Sequence, residues 1–255
     1  MELVDVHCHL DETFYKDDID EVIKRCKENN CLAFPVGVDP ETNRYVLKLK
    51  EKYPDTIFPC LGIYPRDALT VETNENFDYD IDKEIKFIEE NKDKIVAIGE
   101  VGMDFKNGKN EKQQEKEFRK MIELAMKLDK PLVIHSRKAE KKVIDILEEY
   151  KFRKIVMHCF GGKHSQVKRI RENKWYFSIP TNIVRDQHFQ KLVKETPMML
   201  LLTETDSPFL SPFRNEKNQP INVIETIKKI AEIKRLPEKD VATIIRRNTK
   251  ILFGI

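Results

Sequence analysis

Short apolar runs rich in β-branched residues alternate along this chain with longer amphipathic, charged segments. Eight runs predict strands: Leu3–His7, Leu32–Val36, Ile57–Leu61, Ile95–Ile98, Leu132–His135, Ile155–His158, Tyr176–Ile179 and Met199–Thr203. Between them, helical patterning covers Asp18–Asn29, Glu41–Lys52, Glu111–Leu128, Lys138–Tyr150 and His164–Glu172. After the last strand come Ile221–Lys234 and a final helix opened by Pro237, a residue suited to a first turn. The Ala68–Asp80 stretch, rich in Glu, Asn and Asp, predicts a surface loop. Phe14, Trp175 and Phe253 are expected in core packing.

Strands that alternate with helices imply parallel βαβ units. About eight units of roughly 30 residues each predict an α/β fold of the (β/α)₈ barrel class. A doubly wound open sheet usually has fewer strands, and no GxGxxG phosphate loop supports one here. No linker, low-complexity tract or composition break divides residues 1–255, so one domain is expected.

Composition narrows the possible partners. The 46 Lys and Arg residues nearly balance 44 Asp and Glu, for a formal net charge of +2. No global basic field marks a nucleic-acid binder, so such a role must rest on a local patch. The five cysteines form no CxxC pair, which predicts reduced, mostly buried thiols. Strand-like sequence begins at Leu3 and no apolar run approaches the ~18 residues of a membrane span. A cytoplasmic protein without a membrane partner is expected.

The chemistry gathers at predicted strand ends. His7 and His9 are two apart on the first strand and share a face, with Asp5 on that face one layer deeper, placed to orient a histidine. Glu100 and Asp104 follow the fourth strand, His135 ends the fifth, His158 the sixth, and Asp206 follows the eighth. Enzymes of this architecture place their catalytic groups at that end of the strands. A single strand-end histidine is more often a hydrogen-bonded polar residue than a ligand. Four imidazoles and two carboxylates buried together without partners are costly, and coordination of a divalent cation removes the cost. The mixed nitrogen and oxygen donors suit Zn²⁺, Mn²⁺ or a similar ion. His164 and His188 fall in predicted helices and are read as surface residues.

Predicted loops after the strands carry Arg66, Arg137, Lys163, Arg185, Arg214 and Lys217. Tyr64, Phe105, Phe160, Phe209 and Phe213 are interleaved with them and offer faces on which a base can stack. Cations and aromatics around metals fit a nucleic-acid strand end better than a small neutral amide. A deep barrel mouth favours a frayed or single-stranded terminus, which predicts exonuclease action.

The phrases Val4-Asp5-Val6-His7-Cys8-His9-Leu10, Gly99-Glu100-Val101-Gly102-Met103-Asp104, Val133-Ile134-His135-Ser136-Arg137, His158-Cys159-Phe160 and Glu204-Thr205-Asp206-Ser207-Pro208 resemble the TatD family of metal-dependent deoxyribonucleases. They occur in the family's order and span nearly the whole chain. Pro212–Pro220 and Asn248-Thr249 resemble its closing segments. The resemblance implies two divalent ions (Zn, Mn or Mg), one on His7, His9, Glu100 and Asp206, the other on Glu100, His135 and His158. It implies hydrolysis of DNA phosphodiesters at strand ends, with Asp206 orienting or deprotonating the attacking water and Glu204 supporting it from behind. Glu100 stands where the related cyclic amidohydrolases often carry a modified lysine.

Two motifs depart from the family pattern, at three positions. Gly62-Ile63-Tyr64-Pro65-Arg66 replaces its Gly-x-His-Pro-His, and Gly161 replaces a Ser. Tyr64, Arg66, Arg137 and Arg214 are the expected substrate contacts. The departures keep two other readings open: a metal-dependent hydrolase of another small ester, amide or aminoacyl-tRNA, and a non-catalytic metal-binding protein.

Overall fold

The computed structural model describes residues 1–255. Its strands are β1 (Leu3–Cys8), β2 (Cys31–Pro35), β3 (Cys60–Leu61), β4 (Ala97–Gly102), β5 (Leu132–His135), β6 (Ile155–His158), β7 (Tyr176–Ile179) and β8 (Leu201–Thr203). Packing divides the chain into two compact units with interleaved segments. The first comprises Met1–Pro35, Lys48–Phe58 and Tyr176–Ile255, the second Val36–Leu47 and Pro59–Trp175. No helix is long and apolar enough to cross a membrane.

In the first unit β1 pairs in parallel with β2, and β7 with β8. All six residues of β1 are buried, as expected of a parallel strand covered on both faces. Three bonds tie β1 to the end of β8. The Thr203 hydroxyl donates to the Val4 carbonyl at 2.6 Å, the Asp206 N–H to the His7 carbonyl at 3.0 Å, and the His9 N–H to the Ser207 carbonyl at 2.7 Å. The final helix, Glu238–Phe253, buries Val241, Ile245, Asn248, Leu252 and others at helical spacing. Its Asn248 side chain donates to the Met198 and Leu201 carbonyls at 2.8 Å each, pinning the start of β8. That strand begins two residues later than its sequence predicts. Pro197 opens a 3₁₀ turn over Met198–Leu200 that leaves Met199 67% exposed. Phe14 also departs from expectation: it is 37% exposed and stacks edge-to-face on the more exposed Phe209.

In the second unit β3, β4, β5 and β6 pair in parallel in that order. Strand β4 continues past its predicted end at Ile98. Its register with β5 shifts between Ile98 and Val101, then resumes at Val101↔Ile134 and Gly102↔His135. Glu100 therefore lies inside the strand rather than after it. The two glycines of the strand serve close approach. Gly102 has φ +146°, and a Cβ there would fall 2.0 Å from the His135 carbonyl oxygen. Gly102→Ala is expected to lower unfolding free energy by roughly 2–5 kcal/mol through overpacking and backbone strain. Urea denaturation followed by emission of the single tryptophan measures it, because Trp175 is buried in this unit and donates from Nε1 to the Phe152 carbonyl at 3.0 Å.

The expected Ala68–Asp80 loop is also corrected. Arg66–Thr73 is a helix, entered from Pro65 and closed by Asn74 in the left-handed conformation. Ala68 and Leu69 are buried with Tyr64 against Val38 and Phe77, so two apolar residues outweigh the polar composition of the stretch. Asp80 caps the following helix, Ile81–Glu90, accepting from the Asp82 and Lys83 N–H groups. All five cysteines are free thiols, four of them buried.

Candidate functional site

Strands β1 and β8 deliver one set of donors. His7 is fully buried and His9 partly so, and both Nε2 atoms approach Asp206 Oδ1, at 3.6 and 3.3 Å. Asp206 takes a left-handed φ of +54° and is anchored through its N–H to the His7 carbonyl, so one short bond sets both sides of the cluster. Asp5 lies behind. It accepts from the Thr205 N–H at 2.8 Å, the Thr205 hydroxyl at 2.5 Å and the His7 N–H at 3.3 Å. Burial pushes the Asp5 carboxyl well above its ordinary range, against the opposing pull of those hydrogen bonds. Glu204 is fully buried and accepts from the Ser178 hydroxyl on β7. The loop beyond Asp206 is held by Asn218, whose amide donates to Thr181 Oγ1 and to the Thr205 and Phe209 carbonyls.

Strands β4, β5 and β6 deliver the other set. Glu100 Oε1 is 2.8 Å from His135 Nδ1 and 3.6 Å from His158 Nε2, and the three residues are grouped closely enough to share an ion. The opposite nitrogen of His135 faces Asp104 Oδ2 at 2.9 Å and the Tyr64 hydroxyl at 3.1 Å. Burial acts to lower the His135 pKa, but the hydrogen bonds to Asp104 and Glu100 outweigh it and raise it.

The motif reading gives Asp104 no role, yet in this unit it is the hub. Its Oδ2 also accepts from Arg137 Nε at 2.5 Å and Tyr64 Oη at 3.2 Å, while Oδ1 accepts the Lys106 and Asn107 N–H groups at 2.8 and 2.9 Å. Burial would raise this carboxyl, but His135 and the two N–H groups prevail and hold it below the usual carboxylate range. Its place four residues after Glu100, just beyond the end of β4 at Gly102, is the sequence signal that could have found it. Burial first, then the Glu100 and Asp104 charges, push the Tyr64 phenol upward and keep it protonated.

The expected substrate contacts separate. Arg137 and Tyr64 belong to the Asp104 network. Arg66 does not: Nη2 pairs with the mostly buried Glu117 at 2.7 Å and Nη1 donates to the Tyr79 carbonyl at 3.2 Å. Arg214 is exposed in the first unit.

Each unit thus presents two imidazoles on one carboxylate. These are borderline nitrogen and hard oxygen donors, with His135 oriented from behind by a second carboxylate. That chemistry fits a divalent cation of the zinc or manganese type.

Comparison with known proteins agrees. The family model described as TatD related DNase matches residues 4–254. A human protein named deoxyribonuclease TATDN3 is 34% identical over 259 residues, covering 98% of this chain and 94% of that protein. An uncharacterized metal-dependent hydrolase of Methanocaldococcus jannaschii is 36% identical over 246 residues, covering 96% of this chain and 94% of its own. Among solved structures, a TatD homologue from Escherichia coli superposes with a TM-score of 0.87 at 23% identity, covering 99% of this chain and 98% of the other. That likeness places the chain in the (β/α)₈ fold class read from its strand and helix alternation. With the fold, the donors and the family model in agreement, this chain belongs to the TatD-related family of metal-dependent hydrolases.

Proposed function

We propose that this chain is a deoxyribonuclease that hydrolyses phosphodiester bonds from DNA strand ends with two divalent ions, as a single catalytic domain working in the cytoplasm. The observation that carries the reading is the pair of histidine–carboxylate clusters, the second with Arg137 beside it. The relative named deoxyribonuclease TATDN3 supports DNA as the substrate, and five free thiols suit a reducing compartment.

In this proposal His7, His9 and Asp206 would hold one ion, and Glu100, His135 and His158 the other. Bound divalent ions supply Lewis acidity and lower the pKa of water. Asp206 orients the attacking water and takes its proton. Asp5 and Glu204 keep β1 and β8 in place beneath it. Arg137, Tyr64 and Arg214 meet the phosphates, with Arg66 contributing positive charge from its seat on Glu117. Arg137→Ala is expected to raise KM for an oligonucleotide about tenfold and also to lower stability by about 1–3 kcal/mol, because the buried Asp104 loses its cation. Arg66→Ala should lower stability by a similar amount, because Glu117 keeps its charge without its partner, and leave KM nearly unchanged. Parallel kinetics and thermal melts separate the two arginines.

The deciding experiment is hydrolysis of end-labelled single-stranded DNA by chelator-stripped protein with Mg²⁺, Mn²⁺ or Zn²⁺ restored, beside Glu100→Ala as a control for contaminating nuclease. Metal-dependent shortening from one end, absent in the variant, is the expected result. No cleavage despite metal binding would overturn the assignment. It would favour hydrolysis of another small ester, amide or aminoacyl bond, a reading supported by Tyr64 and Arg66 standing in place of the family's histidines.

A further inference from the structure

Arg137 holds two carboxylates that differ in kind. Through Nε it binds Asp104, which is fully buried and fixed by two backbone N–H groups. Through Nη2 it binds Glu72, whose side chain is 30% exposed near the end of the Arg66–Thr73 helix. The Asp104 bond is part of the framework. The Glu72 bond lies at the surface, where ion pairs contribute little and are readily exchanged.

Glu72 does not meet Arg137 alone. The same oxygen, Oε1, is 3.3 Å from the Tyr64 hydroxyl and accepts from the Asn107 amide at 2.8 Å. Three donors from three separate segments therefore converge on one anionic oxygen. Tyr64 also reaches His135 Nε2 at 3.1 Å, so the cradle adjoins the histidine–carboxylate cluster. A guanidinium, a phenol and a carboxamide are the donors that a phosphate oxygen needs, and the guanidinium remains partly accessible at 36%.

The geometry points to a phosphate subsite built from Arg137, Tyr64 and Asn107, in which Glu72 serves as an internal anion that an incoming strand phosphodiester displaces. The inference rests on the nuclease reading and deepens it. Glu72 acts as a specificity residue: a ligand must carry enough negative charge to take Arg137 from it, so neutral esters and amides gain nothing at this position. Because Asp104 stays bound, the guanidinium keeps its orientation when Glu72 leaves.

The test begins without catalysis. Inorganic phosphate is titrated calorimetrically into metal-free wild type, Glu72→Gln and the double variant Glu72→Gln with Arg137→Ala, each checked for native circular dichroism. Glu72→Gln should bind phosphate about tenfold more tightly, since it removes a competing charge only a few ångströms away. The double variant should lose that gain. Equal affinity in wild type and Glu72→Gln would overturn the proposal, and so would a gain that survives loss of Arg137. The metal-loaded proteins are then compared on a single-stranded oligonucleotide, where Glu72→Gln should lower KM with little change in kcat. Tighter phosphate binding with an unchanged KM would overturn the assignment to a strand phosphate, leaving a free-phosphate site. Absence of DNA cleavage by wild type would sink the nuclease reading, while the phosphate titration still decides the subsite.

Discussion

Asp206→Ala is expected to lower the metal-dependent hydrolysis rate by roughly 10³-fold or more, because metal-assisted activation supplies several kcal/mol and each 1.4 kcal/mol is tenfold. The argument is local. Both His7 and His9 approach the same Asp206 oxygen, so the substitution removes an anion that the two imidazoles share. Two neutral imidazoles hold a dication less well than two imidazoles with a carboxylate, and no acceptor remains there for the water's proton. The fold should persist, since the bond that anchors this position runs from the Asp206 N–H to the His7 carbonyl and is independent of the side chain. Steady-state kinetics on a small activated phosphodiester, at saturating Mn²⁺ and with unfolding measured alongside, give the number. A folded variant retaining more than a tenth of wild-type kcat would remove Asp206 from the mechanism.

Much of this arrangement was legible in the chain. Strands β5, β6 and β7 are found where period and composition place them, and the helices over Glu111–Leu128 and His164–Glu172 match residue for residue. Each of these segments is dominated by local signals, either β-branched runs or amphipathic spacing. The failures share one cause, which is that tertiary contacts override composition. The Arg66–Thr73 helix is acidic and polar, and it forms because Ala68 and Leu69 find a buried surface beside Tyr64. Strand β4 runs on through two glycines because Gly99 lets the Val133 side chain, and Gly102 the His135 carbonyl, approach closer than any Cβ permits.

The site divides in the same way. His7, His9, Glu100, His135, His158 and Asp206 stand out because their residue types recur at strand ends, and spacing alone reveals that. Asp104 and Glu72 do not, since their significance lies in what Arg137 and His135 do with them. Glu72 sits 65 positions from Arg137 in the chain, and no periodic pattern connects them. Arg66 and Arg137 read alike in sequence, and only the position of Glu117 separates a brace from a proposed substrate contact.

Asp104→Asn is expected to weaken divalent-metal affinity by about 10–100-fold, the usual cost of losing the group that orients a ligating histidine. Asp104 Oδ2 faces the Nε2 edge of His135 and so holds a proton on Nε2, which in the ion-bound state would leave Nδ1 free to join Glu100 in holding the ion. An asparagine of the same size offers one oxygen and one amide nitrogen in place of two oxygens. The original carboxylate accepts Arg137, His135 and Tyr64 on one oxygen and two backbone N–H groups on the other. Whichever way the amide turns, it sets N–H groups against N–H groups. If the oxygen stays on the backbone, His135 loses its acceptor and its ring is free to change tautomer. If the oxygen stays on His135, the Lys106 and Asn107 N–H groups lose theirs, which costs about 1–3 kcal/mol of stability. Calorimetric titration of Mn²⁺ or Zn²⁺ into the metal-stripped protein reads the affinity, and a parallel urea melt tells the two orientations apart. Weakened affinity that excess metal overcomes, with kcat restored, is the signature of a residue acting through His135. Unchanged affinity in a folded variant would show that Tyr64 and Glu100 alone hold that ring.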